Sequence, residues 1–302
     1  MTIPLWVGFT LAAAFAQTLR FMLQKRLKTT ALSTAGATFA RFVYSAPLVA
    51  IFVAIYARTS GQGFPAVPAR FWAYALSGGL AQILATMCVV ALFARRNFAV
   101  GVTFKKTEVM LTAIVGILVL GETIAPLGWL ALAVGFVAVL LLSDAPVAGG
   151  AIWRRFVSPS AGIGLLSGVF FAISAVGYRG ASLSLGHGDV ILRAGMTLAL
   201  VTASQTVAMA AWMAWRERGE ISRVFRAWRV AGLVGVSSMI GSFCWFSAFT
   251  LQTAAYVNAL GQVELLFSLI ASALFFREKI TLREAGGIAL LLCSILLLIW
   301  VL

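Results

Sequence analysis

Acidic side chains are scarce in this chain: nine in 302 residues, against 23 lysines and arginines and one histidine. Charged residues of both signs make up 11% of the sequence, where ordinary soluble domains carry about 25%. Hydrophobic residues reach 62%, with a mean hydropathy of +1.01. That is more apolar surface than one water-soluble core can hide, and it marks an integral membrane protein. The three cysteines, Cys88, Cys244 and Cys293, fall in apolar stretches without CxxC or metal-ligand spacing, and read as small buried residues. His187 stands alone in a short SLGHGD turn, so the His/Asp/Glu cluster that a membrane-embedded enzyme needs is missing. No GxxxxGK[ST] loop occurs, which excludes ATP-driven transport by this chain alone. The start, MTIPLWVGFTLAAAFAQTL, has neither a basic leader nor a small-residue cleavage site, and reads as a retained first span.

What is present is a series of apolar runs. A helix needs about 20 residues to cross a ~30 Å hydrocarbon core. On that length the chain holds ten candidate spans: 3–24, 32–57, 69–94, 98–120, 123–143, 160–183, 188–215, 228–250, 254–276 and 281–302. Only the connections 144–159 and 216–227 have room for more than a turn or a short surface helix.

Sliding the chain by 156 residues aligns its halves. Phe15-Ala16 falls on Phe171-Ala172, Gly79 on Gly235, Cys88 on Cys244, Glu108 on Glu264 and Glu122 on Glu278. Around the second span the shift becomes 152 and pairs Arg41 with Arg193. Apolar matches between membrane helices are cheap, but two glutamate pairs at one shift are not. The organisation expected is therefore an all-α membrane protein of ten transmembrane helices in two five-helix repeats, 1–143 and 160–302, joined by 144–159. Five is odd, so the second repeat enters from the opposite side, an inverted arrangement common in secondary transporters.

Loop charge agrees. The connections after spans 1, 3, 5, 7 and 9 carry fifteen of the basic residues, while the other connections and both ends carry only Arg58 and Arg70. By the positive-inside rule both termini lie on the non-cytoplasmic side of a multi-pass cell (inner) membrane protein. The net charge of +14 is explained by these loops facing anionic lipid, and no nucleic-acid motif accompanies it.

Six basic residues remain inside spans: Arg20, Arg41, Lys105, Lys106, Arg179 and Arg193, with Glu108 and Glu264 as the acidic residues at depth. Each costs at least about 2.5–3.5 kcal/mol at a helix centre, which makes it a functional candidate by default. From an entry near Asn97, Lys105 and Lys106 lie about 12–14 Å along span 4 and Glu108 about 16 Å. Lys105, Glu108 and Thr112 share one helix face, and the repeat mate offers Glu264, with Asn258 and Gln262 on a neighbouring face. Lys105 and Glu108 are either a site or a structural ion pair. Arg41 and Arg193 either bracket a central cavity or pair with the glutamates and helix-end carbonyls. Arg20 and Arg179 are expected to snorkel, and Glu122 and Glu278 to act at helix starts. Gln17, Tyr178, Trp245 and Gln82 complete the candidate cavity. Glu264, with no cation adjacent in sequence, is the stronger proton-coupling candidate and Glu108 the second.

EVMLTAIVGILVLGETIAPLGWLALAVG, and again ELLFSLIASALFFREKITLREAGGIALLL, resemble the EamA domain of the drug/metabolite transporter superfamily. The resemblance implies a ten-helix inverted fold, a central substrate cavity lined by both halves, and alternating access. Family members move amino acids, nucleotide sugars, organophosphates and other polar metabolites, often outward. The Lys105-Lys106 pair and an outside N-terminus depart from the general pattern. The function expected is secondary transport of a small polar metabolite, an amino acid or organic anion, coupled to protons or exchange. A cationic or quaternary-amine substrate is the alternative, and a channel or membrane-embedded enzyme is the alternative class. No cofactor, metal or nucleic acid is expected; the partners are substrate and membrane lipid, and no oligomer is required.

Overall fold

A computed structural model describes residues 4–30, 32–92, 105–142, 159–267 and 282–300. Among them every ordered element is a helix: α1 (Leu5–Thr30), α2 (Thr34–Thr59), α3 (Ala69–Leu92), α4 (Glu108–Leu120), α5 (Pro126–Leu142), α6 (Pro159–Ser184), α7 (Val190–Arg216), α8 (Glu220–Arg226), α9 (Trp228–Leu251), α10 (Ala254–Gly261) and α11 (Leu282–Trp300). Six of these, α1, α2, α3, α6, α7 and α9, are long and apolar enough to cross a membrane by length and composition. Among the described residues each of the ten sequence spans contains helix, and α8 occupies the 216–227 connection. Arg95, Arg96, Arg154, Arg155, Arg277, Glu278 and Lys279 lie outside the described residues, as do positions 98–104 of the fourth span.

Local chemistry sets several helix ends. The Ser33 hydroxyl accepts the Gly36 N–H at 2.9 Å and starts α2; Asp189 accepts the Leu192 N–H at 2.8 Å and starts α7. Gly121, at φ 64°, ends α4 in the left-handed region, and its N–H returns to the Ile117 carbonyl at 3.1 Å. Pro126 opens α5, where a missing N–H costs no helix bond.

The helices pair across the two halves in a symmetric pattern: α1 with α9 and α6 with α3, then α2 with α7, α4 with α10 and α5 with α11. The last three pairs each join a span to its two-fold counterpart, and the first two are one contact repeated by the same pseudo-two-fold axis. The register is antiparallel. Gly78 faces Gly177 while the Ser167 hydroxyl donates to the Ala85 carbonyl, and on the fifth spans Gly135 and Ala131 meet Ser294 while Leu142 meets Gly287. The inversion expected from the odd span count is thus built into the packing.

Lipid is as apolar as leucine, so helix association rests on close approach rather than on hydrophobic burial. A Cβ at Gly177 would stand 2.9 Å from Gly78 Cα. The repeat-mate glycines face the same helix pair unequally: a Cβ on Gly235 of α9 would collide with Tyr44 on α2, whereas one on Gly79 of α3 would meet Val201 of α7 at an ordinary 3.5 Å. These contacts set α2 and α3 of the first half against α6, α7 and α9 of the second.

Candidate functional site

The fourth span is not one continuous helix through FKKTEVM. Lys105 is helical, Lys106 and Thr107 form a turn, and α4 starts at Glu108. The second half repeats this 156 positions on: α10 stops at Gly261, Gln262 and Val263 form a turn, and helix resumes over 264–267. Backbone bonds of i to i+3 spacing tighten both turns, Val109 N–H to Lys106 carbonyl and Val263 N–H to Leu260 carbonyl. Both glutamates therefore open a helical segment, where a carboxylate meets the positive end of the helix dipole. Neither stretch carries a proline, and only the second has a glycine beside the turn, so sequence gave little sign of the breaks.

The breaks put charges from opposite halves in contact. Lys106 Nζ pairs with Glu264 Oε1, and Lys105 Nζ lies 3.3 Å from Glu108 Oε1 and 3.9 Å from Glu264 Oε1. Gln17 on α1 donates to the other oxygen of Glu264 at 2.8 Å. Glu264, without a basic neighbour in sequence, is thus supplied with two by the first half. Asn258 bonds Thr112 at 2.9 Å and ties α10 to α4 beside the cluster. Arg20 does not snorkel: it is buried, bonded to Gln17 and Gln24 through their side-chain oxygens.

Beside this cluster is a cavity of about 50 Å³, room for a few waters. Gln17, Arg41, Lys105, Glu108, Tyr178, Trp245, Gln262 and Glu264 line it, together with Gln82. Asn258, Ser174, Ser242 and the Phe171, Phe246 and Phe249 rings also line it and were not singled out for the cavity by sequence, except Asn258 by its helical spacing to Gln262. Lys106 and Arg193 do not line it. Lys106 reaches Glu264 from the α4–α5 side, and Arg193 is bonded to the Ser182 carbonyl at 2.9 and 3.1 Å. The two arginines matched by the repeat therefore occupy unlike environments.

Arg41 is a second polar anchor of the cavity. Its three guanidinium nitrogens donate to Ser238 (2.9 Å), Thr86 (3.0 Å) and Ser242 (3.2 Å), hydroxyls from α9 and α3. Ser238 and Ser242 stand four apart, on one face of α9. None of the ion pairs among the described residues involves Arg41, although its side chain is buried. Two further groups await partners: the Trp245 Nε1–H donor and the Gln262 Oε1 acceptor are buried without a hydrogen bond. The Tyr178 hydroxyl instead donates to Gln82 Oε1 at 2.7 Å and receives from Gln205, in a closed network.

At the membrane edges the structure differs from expectation at Arg179 and Glu122. Arg179 pairs with Glu122 and donates to the Phe249 and Gln252 carbonyls at the end of α9, so Glu122 balances an arginine rather than opening α5.

This is an all-α membrane protein of the drug/metabolite transporter type, two inverted five-helix repeats around a polar cavity. The model of the EamA-like transporter family matches residues 4–144 and again 159–300, and the chain belongs to that family. Its members are transporters, not enzymes. No curated protein matches the chain. One solved structure, described only as "Crystal structure of protein", is similar over 96% of this chain and 99% of that one, with a TM-score of 0.68 and 13% identity. At that identity the likeness shows the fold alone.

Proposed function

We propose that this multi-pass membrane protein is a secondary active transporter of the cell inner membrane. Its cargo is a small polar metabolite bearing a carboxylate or phosphate, an amino acid or organic anion, carried by alternating access. The observation that carries the reading is Arg41, a cavity-lining guanidinium held by three neutral hydroxyls and by no carboxylate among the described residues. A buried charge without a counter-charge costs several kcal/mol, and an anionic ligand removes that cost. The orphaned Trp245 Nε1–H and Gln262 Oε1 add one donor and one acceptor for the rest of the solute. The cavity joins both halves, so rocking one half against the other exposes it to each side in turn.

Coupling falls to the lysine–glutamate cluster. Protonating Glu108 or Glu264, or exchanging one anion for another, changes the net charge that the cluster presents to the cavity through Lys105, Glu108 and Glu264. By the positive-inside rule the fifteen basic loop residues support a topology with the odd connections in the cytoplasm and both termini outside. No partner subunit and no nucleic acid enter the scheme.

The test is a panel of anionic, zwitterionic and cationic metabolites, scored first by thermal stabilisation and then by flux in proteoliposomes. Saturable flux of an anion or zwitterion that falls at least tenfold in Arg41→Gln supports the reading. Stabilisation by cations alone overturns it.

A further inference from the structure

Lys105 sits where a bound cation would sit. Its Nζ lies 3.3 Å from Glu108 Oε1 and 3.9 Å from Glu264 Oε1, one carboxylate from each half. The Phe171 ring centre is 4.9 Å away and the Phe21 ring centre 5.8 Å away. Two carboxylates and two aromatic faces are the components of a pocket for an organic ammonium. The occupant arrives covalently, from the helix break of the first half, and the second half has nothing comparable. At the matching position stands Gly261, where even a Cβ would collide with the Trp245 ring.

The two lysines are not equivalent. Lys106 pairs with Glu264 and does not line the cavity, whereas Lys105 lines it. Among the described residues Lys105 is the only cation in ion-pair contact with Glu108. We propose that Lys105 is a built-in counter-cation filling a cation-binding site formed by Glu108, Glu264, Phe171 and Phe21, which accepts primary alkylammonium ions once the lysine is removed. In the intact protein the occupied site refuses organic cations, leaving the cavity's remaining polarity, set by Arg41, to select anionic groups. The consequence for selectivity rests on reading the cavity as the transport site; the binding site itself does not.

Truncating Lys105 to alanine deletes three carbons and an ammonium, the atoms of n-propylammonium. The experiment measures melting of detergent-solubilised full-length protein with propylammonium chloride against matched sodium chloride. Lys105→Ala is expected to melt below wild type and to gain about 2–4 °C at saturating propylammonium. Wild type is expected not to respond, and neither propanol nor sodium propionate is expected to replace the amine. Lys105→Ala/Glu108→Gln should lose the response. Should the alanine variant fail to fold, Lys105→Ser carries the same expectation, as does recovery of folded alanine variant when it is extracted in the amine. An equal response in wild type and variant, a response that survives Glu108→Gln, or no response in either Lys105 variant overturns the proposal. Flux is read separately: metabolite flux without an amine response sinks this inference alone, and an amine response without flux of any metabolite sinks the transport reading alone.

Discussion

The buried charges form a connected set in which the effect of a substitution depends on what it leaves behind. Glu264 serves Lys106 and Lys105 and receives Gln17. Changing it to glutamine strands buried Lys106 and leaves Lys105 with Glu108 alone, and is expected to cost about 3–5 kcal/mol. Lys106→Met should cost less, because Lys105 remains within ion-pair distance of the same oxygen. The double variant Lys106→Met/Glu264→Gln is expected to recover most of the loss. A double-mutant cycle read by melting temperature checks this, and strictly additive effects would contradict the pairing. Much of this set was legible as composition, since charges at membrane depth announce themselves. The partners were not: sequence spacing joins Lys105 to Glu108 on one helix but cannot join Lys106 to a glutamate 158 residues away. Snorkelling failed for Arg20 because Gln17 and Gln24 of its own helix meet it inside the protein.

Helices α2 and α7 run antiparallel and are tied together at both ends. At one end the Ser33 N–H and hydroxyl each donate at 2.5 Å, to Glu220 and Glu217 respectively. At the other, Asp189 accepts from Tyr56 (2.5 Å) and Gln62 (2.9 Å). Burial pushes both the Asp189 and the Glu220 carboxyl upward, but hydrogen bonds from Tyr56, Leu192 and Gln62, and from Ser33 and Arg223, outweigh it and hold each below its usual range. A depressed folded value means that the stabilisation is complete above the ordinary carboxylate range of about 4 and is lost as pH falls through the lowered value. Both ties should therefore hold from neutral pH down to about pH 4 and weaken below it. Asp189→Asn should remove the Asp189 part of that dependence, measured as melting temperature against pH. The repeat glycines give a second element-scale test. Gly235→Val is expected to cost at least about 1–3 kcal/mol against Tyr44, and Gly79→Val less, because the Val201 methyl is at ordinary contact distance. Equal costs would contradict the packing. The spans and their repeat were readable because apolar runs and paired glutamates recur at one shift. The helix breaks were not, because the turn at Lys106-Thr107 has no proline or glycine and is held by contacts made between halves.

At the scale of the molecule, a pseudo-two-fold relates every span to its counterpart while the cavity it encloses is chemically lopsided. Its lining carries Arg41 among hydroxyls and, separately, Lys105 with Glu108 and Glu264. The scaffold could be read from repeat and charge pattern, whereas the lopsidedness depends on residues the repeat does not share. The central claim is that this cavity binds an anionic group at Arg41 during a carrier cycle. Counterflow in proteoliposomes tests it most directly: external labelled anion or zwitterion is followed into vesicles preloaded with the same unlabelled compound. The account predicts transient accumulation above the external level, saturable in substrate and lost in a folded Arg41→Gln protein. Linear, non-accumulating uptake, or counterflow unchanged in Arg41→Gln, would contradict it.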